Sequence, residues 1–433
     1  MKRQSNMNRD PNNIFYRKTK EQKRVVITGM GCVSPLGLNL KSTWDALLAG
    51  KSGISKISDF NPDAHSVKIA GQVKDFNADD YIPKKEQKKM DRFIHLALAS
   101  TEMALQDADI QWTDELKQKT GTLIGVGIGG LINIEKQYSI FLERGPSRVS
   151  PFFIPSVITN LASGHISIQH GFMGPNFSVT SACASGSHSI GEGAKYIRDG
   201  ECEIMVCGGS EAAICDMAIA GFSSMKALST RNDSPQEASR PWDQDRDGFV
   251  LSEGAAVLVL ENYEHAAQRG ARIYGELTGY GVSSDAHHMT TPSPGGEGAS
   301  IAMKKSLMDA GLNPTDIDYI NAHGTSTPAG DALETEAIKK VFEDHAKSKL
   351  LVSSTKSMTG HTLGAAGALE SVFSLMALQN NKVPPTINLD QASPECDLDY
   401  VPLTARDHKL THVLNNSFGF GGTNACLIFS EMD

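Results

Sequence analysis

No apolar run in the 433-residue chain is longer than Ala255–Leu260. A bilayer-spanning helix needs about 20 such residues, so membrane insertion is not expected. The seven cysteines, at 32, 183, 202, 207, 215, 396 and 426, are odd in number and contain no Cys-x-x-Cys pair. That argues against a disulfide framework or a structural zinc site and fits a reducing, cytoplasmic setting. Positive charge is not in excess: 41 Lys and Arg face 50 Asp and Glu, for a net charge of −9. Nucleic acid is therefore not expected as the main partner. The 40 glycines follow no period, which excludes a collagen-like chain. They cluster in short motifs, as tight turns and close backbone approaches require.

What is present is enough for about three domain-sized units and a large core. Residues 1–24 carry eight basic side chains against Asp10 and Glu21, with no apolar segment behind them. This stretch is expected to be a basic, disordered tail and not a secretory signal. From Val25 onward strand-like segments recur, at 25–29 and near 121–127, 176–181, 203–208, 255–261, 273–281, 317–322, 350–354 and 424–430. Helical segments separate many of them. Residues 91–107, for instance, place Ile94, Ala97, Leu98 and Leu105 on one stripe. The alternation predicts an α/β fold with parallel connections.

The chain also repeats itself weakly. Phe177–Gly186 is a strand running into a small-residue helix start, and Leu351–Gly367 has the same design. Ile204–Ala212 loosely matches Val413–Asn424. Two similar halves, 25–270 and 271–433, are expected to meet at an active site.

Four segments could carry chemistry. Cys183, in Thr180-Ser-Ala-Cys-Ala-Ser-Gly, has small neighbours on both sides and stands where a strand meets a helix. A helix N-terminus favours thiolate, so Cys183 is expected to be a nucleophile that needs no general base. His323 follows a strand in Asn321-Ala-His-Gly-Thr-Ser-Thr. His361 opens a helix, where the dipole favours the neutral ring and a donated hydrogen bond to developing negative charge. Lys356, five residues earlier, follows an apolar strand and needs a buried carboxylate partner, Glu334 or Glu370 being the candidates. Phe418 and Phe420 alternate with glycines in Asn416–Asn424, a loop able to present backbone N–H groups and to swing as a gate. Gly125–Gly130 satisfies the dinucleotide pattern G-x-G-x-x-G. No acidic strand end follows about 20 residues on, so it reads as a pocket-lining turn. His287 and His288 have no partner at metal-ligand spacing, and no metal is expected.

Together these motifs resemble the β-ketoacyl-acyl-carrier-protein synthases, and among them the bacterial elongating enzymes of type II. The resemblance runs from Arg24 to the C-terminus. It implies a thiolase-like fold, with two βαβαβ halves in a five-layer α-β-α-β-α sandwich, forming a homodimer. It implies a condensing site of Cys183, His323, His361 and Lys356, with an oxyanion hole from the backbone N–H groups of Cys183 and Phe420 and a gate at Phe418 and Phe420. Thr325 and Thr327 would contact the pantetheine arm and Ile128 would line the acyl pocket. Phe153 would reach the pocket across the dimer interface. Glu334 and Glu370 would be structural carboxylates. Lys85, Lys88, Lys89 and Lys226 would dock acyl-carrier protein, which delivers the acyl group on phosphopantetheine without any further cofactor. The rivals are a polyketide ketosynthase, a degradative thiolase, a non-catalytic chain-length factor and a nicotinamide dehydrogenase. Thiolases place a second cysteine in the last glycine loop, where this chain has Phe418 and Phe420, and chain-length factors lack the nucleophile.

Overall fold

The structure, a computed structural model, describes residues 22–432. Residues 1–21 of the expected tail lie outside that range. Its last two residues belong to the fold: Lys23 donates its N–H to Arg198 O at 3.1 Å, and Arg24 pairs with Glu276 at 2.5 Å.

Ten strands form the main sheet: β1 (Val25–Val33), β2 (Thr120–Gly125), β3 (Asn176–Phe177), β4 (Ile204–Glu211), β5 (Gly254–Asn262), β6 (Gly275–Ser284), β7 (Tyr319–Asn321), β8 (Leu351–Ser353), β9 (His412–Gly419) and β10 (Thr423–Ser430). Their spatial order is β8-β7-β9-β10-β6-β1-β5-β4-β2-β3. Within the sheet the two halves are joined through the pairs Val26↔Glu276 and Ile27↔Gly275. Counted outward from that seam, each half visits its strands in the sequence first, fifth, fourth, second, third. Directions repeat as well. In each half the first strand is antiparallel to the fifth and the fifth to the fourth, while the fourth, second and third run parallel. The chain is a structural duplication, and both weak matches in the sequence pair equivalent strands, β3 with β8 and β4 with β9.

Helices complete five layers. α1 (Arg92–Ala108) and α4 (Leu161–His170) cover the outer face of the first half; α7 (Glu297–Ala310) and α8 (Pro328–Ser348) cover that of the second. Between the halves lie α5 (Ser185–Arg198) and α9 (Ala366–Asn380), each packed on strands of both. The sequence explains their place. α9 is apolar or small nearly all round, with Ala366 through Leu375 buried without a break, as a helix sandwiched between sheets must be. α1 is buried on more than its predicted stripe, because Phe93, Leu96 and Ala104 also pack into the outer layer.

Two strand expectations need correcting. The segment 176–181 is in the ladder only at Asn176–Phe177, since Ser178 turns its hydroxyl onto Ile124 O at 2.7 Å. Residues 416–424, read as a glycine loop, are strand except at Phe420–Gly422: β9 runs on to Gly419, with every residue from Val413 to Ser417 buried, and β10 begins at Thr423.

Candidate active site

The third strand of each half leads into a central helix, so the two helix entrances face each other across the seam. Cys183 occupies the single 3-10 turn Ala182–Ala184 ahead of α5. Ala182 stands at φ +49°, a left-handed conformation that costs an alanine about 1–2 kcal/mol. Side chains hold it there: Ser185 Oγ donates to Ala182 O at 2.7 Å and accepts from Ser181 N at 2.9 Å, and Thr423 Oγ1 donates to Ser181 O at 3.0 Å. His361 precedes the equivalent turn, Leu363–Ala365, ahead of α9. Its backbone is clamped by His361 N–H to Val250 O at 2.8 Å and Ser252 N–H to His361 O at 3.0 Å. His323 follows β7, and the Glu334 carboxylate fixes its turn by accepting the N–H groups of His323 (2.9 Å) and Gly324 (2.7 Å).

These turns bring three side chains together. His361 Nε2 is 3.0 Å from Cys183 Sγ. The thiol and one nitrogen of each imidazole lie within 4.8 Å of one another, and the two rings meet edge to face at 5.4 Å. One sulfur and two nitrogens at that spacing could also hold a soft divalent cation. All three residues line a cavity of about 490 Å³, together with Ile128, Thr325, Thr327, Phe418 and Phe420.

The electrostatics differ from the sequence expectation in one respect. Burial pushes the Cys183 thiol up to about 11, while Lys356 and the backbone N–H groups of Phe420 and Cys183 pull the other way. The helix entrance does not by itself make a thiolate, because desolvation of the anion outweighs the dipole. Both imidazoles are held well below their ordinary range, first by burial and then by the nearby Lys356 charge, so they are neutral at pH 7. Neither ring's Nδ1 has a hydrogen-bond partner among the described residues, so each ring can carry its proton on either nitrogen.

Lys356 is 1% exposed and pairs with Glu370, itself 2% exposed. Glu370 is thus the expected carboxylate partner. Burial raises its carboxyl to about 7 against the pull of the ammonium. Neither residue lines the cavity, so Lys356 acts on the site through its field. Glu334 serves the His323 turn and accepts Asn416 Nδ2–H at 3.2 Å.

Thr325 and Thr327 have hydroxyls 3.0 Å apart on the cavity wall. The residue between them, which the sequence reading passed over, explains why. Ser326 has φ +67° and has all its polar groups engaged: its N–H with Asp331 Oδ1, its Oγ with Arg240 N–H, and its carbonyl with Gly248 N–H. Glu211 was also missed. It ends β4 fully buried and accepts the N–H groups of Gly127, Ile128, Gly129 and Gly364, which oppose the effect of burial that raises it to about 7. A single acidic residue closing a buried strand was the available signal.

Other candidates lie elsewhere. Phe153, on α3 (Phe153–Val157), is outside the wall of this chain's own cavity. Lys226 is exposed at the cavity rim. Lys85 and Lys88 are exposed on and just after the short helical turn Lys84–Gln87, away from that wall. Lys89 is half-buried and paired with Glu86 at 2.7 Å.

Residues 22–266 match the family model of the β-ketoacyl synthase N-terminal domain, and residues 274–390 match that of the C-terminal domain. The chain belongs to the β-ketoacyl synthase family. Over 412 residues it is 52% identical to 3-oxoacyl-[acyl-carrier-protein] synthase 2 of Coxiella burnetii, covering 95% of this chain and 99% of that protein. It is 50% identical over 411 residues to the protein of that name from Vibrio harveyi, covering 95% and 99%. A β-ketoacyl synthase from Burkholderia phymatum superposes with a TM-score of 0.89 at 37% identity over 95% of this chain and all of that one. A type II polyketide ketosynthase, solved with its acyl-carrier protein and bound to the hexaketide, gives 0.88 at 33% identity over the same shares. These likenesses agree with the thiolase-like architecture. Glu211 beneath Gly125–Gly130 already takes the backbone N–H groups that the phosphates of a dinucleotide would use.

Proposed function

We propose that the protein elongates acyl chains carried on acyl-carrier protein by decarboxylative condensation with malonyl-carrier protein, in fatty acid synthesis. The observation that carries this reading is Cys183 Sγ at 3.0 Å from a neutral His361, with His323 completing the trio. In the first step Cys183 Sγ attacks the acyl thioester. Its proton passes by way of His361 Nε2 to the departing pantetheine sulfur, and the backbone N–H groups of Cys183 and Phe420 receive the oxyanion. An oxyanion donor of this kind is worth about 3 kcal/mol. In the second step the carboxylate–carbon bond of the malonyl thioester breaks and carbon dioxide leaves. The enolate oxygen accepts hydrogen bonds from Nε2–H of His323 and His361. The carbanion then attacks the acyl-cysteine carbonyl, the carbon–sulfur bond to Cys183 breaks, and a 3-oxoacyl thioester two carbons longer forms, while the released thiolate takes up one proton from solvent. Lys356 keeps both rings neutral and favours negative charge on Cys183, with Glu370 holding it in place. The balance needs no redox or metal cofactor.

Thr325 and Thr327 would bind the pantetheine arm, with Phe418 and Phe420 gating access. Lys226 at the rim, with Lys85, Lys88 and Lys89, would dock the acidic carrier. The exposed apolar side chains Tyr138, Phe141, Leu142, Phe152 and Ile154 support a homodimer through which Phe153 reaches its partner's pocket. The free state of all seven cysteines supports a cytoplasmic location, and among the described residues no helix is long and apolar enough to cross a membrane. A polyketide pathway is the second reading, favoured by the structural neighbour bound to a hexaketide. Incubation with acyl- and malonyl-carrier protein tests the function: a product two carbons longer supports it. Cleavage of 3-oxoacyl thioesters by coenzyme A without malonyl substrate points instead to a thiolase.

A further inference from the structure

The glycine stretch Gly125–Gly130 and the buried Glu211 take no part in these steps, and each explains the other. Glu211 Oε2 accepts the N–H groups of Gly127 (2.8 Å), Ile128 (3.1 Å) and Gly364 (3.1 Å); Oε1 accepts those of Ile128 and Gly129, both at 3.1 Å. Successive backbone N–H groups converging on one anion form the kind of concavity that cradles phosphate elsewhere. Here the chain supplies its own anion, so the fingerprint is already filled. Glycine is obligatory on both sides. A Cβ on Gly127 would stand 2.5 Å from Glu211 Oε2, and one on Gly364 would stand 2.2 Å from Gly127 N. Gly127 and Ile128 line the cavity and Glu211 does not, so the loop is a partition with the cavity on one face and the carboxylate on the other.

We propose that Glu211 is a positioning residue that sets acyl-chain selectivity, by anchoring the loop that bears Ile128 to the turn that follows His361. The inference rests on the reading of Ile128 as a wall of the acyl pocket. The anchor fixes that wall relative to the nucleophile, because Gly364 belongs to the helix entrance facing Cys183. His361 has its own backbone bonds to Val250 and Ser252, so its place does not depend on Glu211.

The test compares Glu211→Gln with the unaltered protein in the formation of acyl-Cys183 from one medium-chain and one long-chain acyl-carrier-protein thioester. In the variant an amide NH₂ faces loop N–H groups, which pushes the partition toward the cavity. The long-chain over medium-chain ratio of kcat/KM is expected to fall about tenfold. Gly127→Ala crowds the same contact from the loop side and is expected to shift the ratio in the same direction, which covers a Gln variant that fails to fold. Equal losses for both chains, or an unchanged ratio, are what a merely structural role would give and would overturn the proposal. If the unaltered protein acylates neither chain, the proposed function falls as well. If it acylates both and the variants keep its ratio, only the role of Glu211 falls.

Discussion

The entrances of the two central helices have nearly the same backbone and carry different chemistry. In the first half Ala182 stands at φ +49° and Cys183 follows it; in the second, Leu363 stands at φ +47° and Gly364 follows it. Each begins a single 3-10 turn that runs into α5 or α9. Where the first half presents a thiol to the cavity, the second has a bare backbone whose N–H is spent on Glu211. The second half instead contributes a histidine two residues ahead of its turn, and at the matching place the first half has only Thr180, exposed to solvent. Two equivalent strained turns thus differ in what they present: one carries the thiol, and the other is preceded by the imidazole that stands 3.0 Å from it. Neither turn makes a site alone.

Breaking the comparison at its most reactive point gives the largest effect: Cys183→Ala should abolish elongation, leaving no product in a malonyl-dependent assay. Next comes the buried charge. Lys356→Met leaves Glu370 unpaired in the interior and should cost about 3–5 kcal/mol of stability, read as a lower thermal midpoint. The same variant removes a cation that favours the thiolate, so alkylation of Cys183 by iodoacetamide should slow at any fixed pH. In the unaltered protein a thiol raised to about 11 should alkylate faster as pH rises from about 7 to about 10, with no plateau in between. His361→Ala should reduce malonyl decarboxylation about 10²- to 10³-fold, measured as carbon dioxide release. Making the second turn resemble the first by Gly364→Ala should cost about 1–3 kcal/mol, because the added Cβ meets Gly127 N. Smallest of all, Lys226→Glu should raise KM for carrier-protein substrates a few-fold and spare small thioesters, and the difference should fade at high salt.

The sequence made the long buried strands legible, and also Cys183, His323 and His361, which the fold brings together in one cavity, because apolar runs and glycine-flanked polar residues are local patterns. It misjudged the end of β9, where Asn416 and Ser417, next to Asn415, read as loop. Each is buried only because a distant partner satisfies it: Gly367 O for Asn415, Glu334 for Asn416 and Ser187 for Ser417. The thiolate expectation failed for a related reason. Small neighbours around Cys183 signal access, but the burial that decides its charge comes from an apolar cluster of residues distant in sequence, Ile214, Phe249 and Leu363 among them. Glu211 was passed over despite its place at the end of a buried strand, because its partners are more than 80 residues away in either direction.

The most direct test is intact-protein and peptide mass spectrometry after mixing with acyl-carrier-protein thioester, before and after malonyl-carrier protein is added. An acyl group on the Cys183 peptide that disappears on addition of malonyl substrate, as a chain two carbons longer appears, is the expected result. An acyl group found on another residue, or one on Cys183 that malonyl substrate does not discharge, would contradict the account.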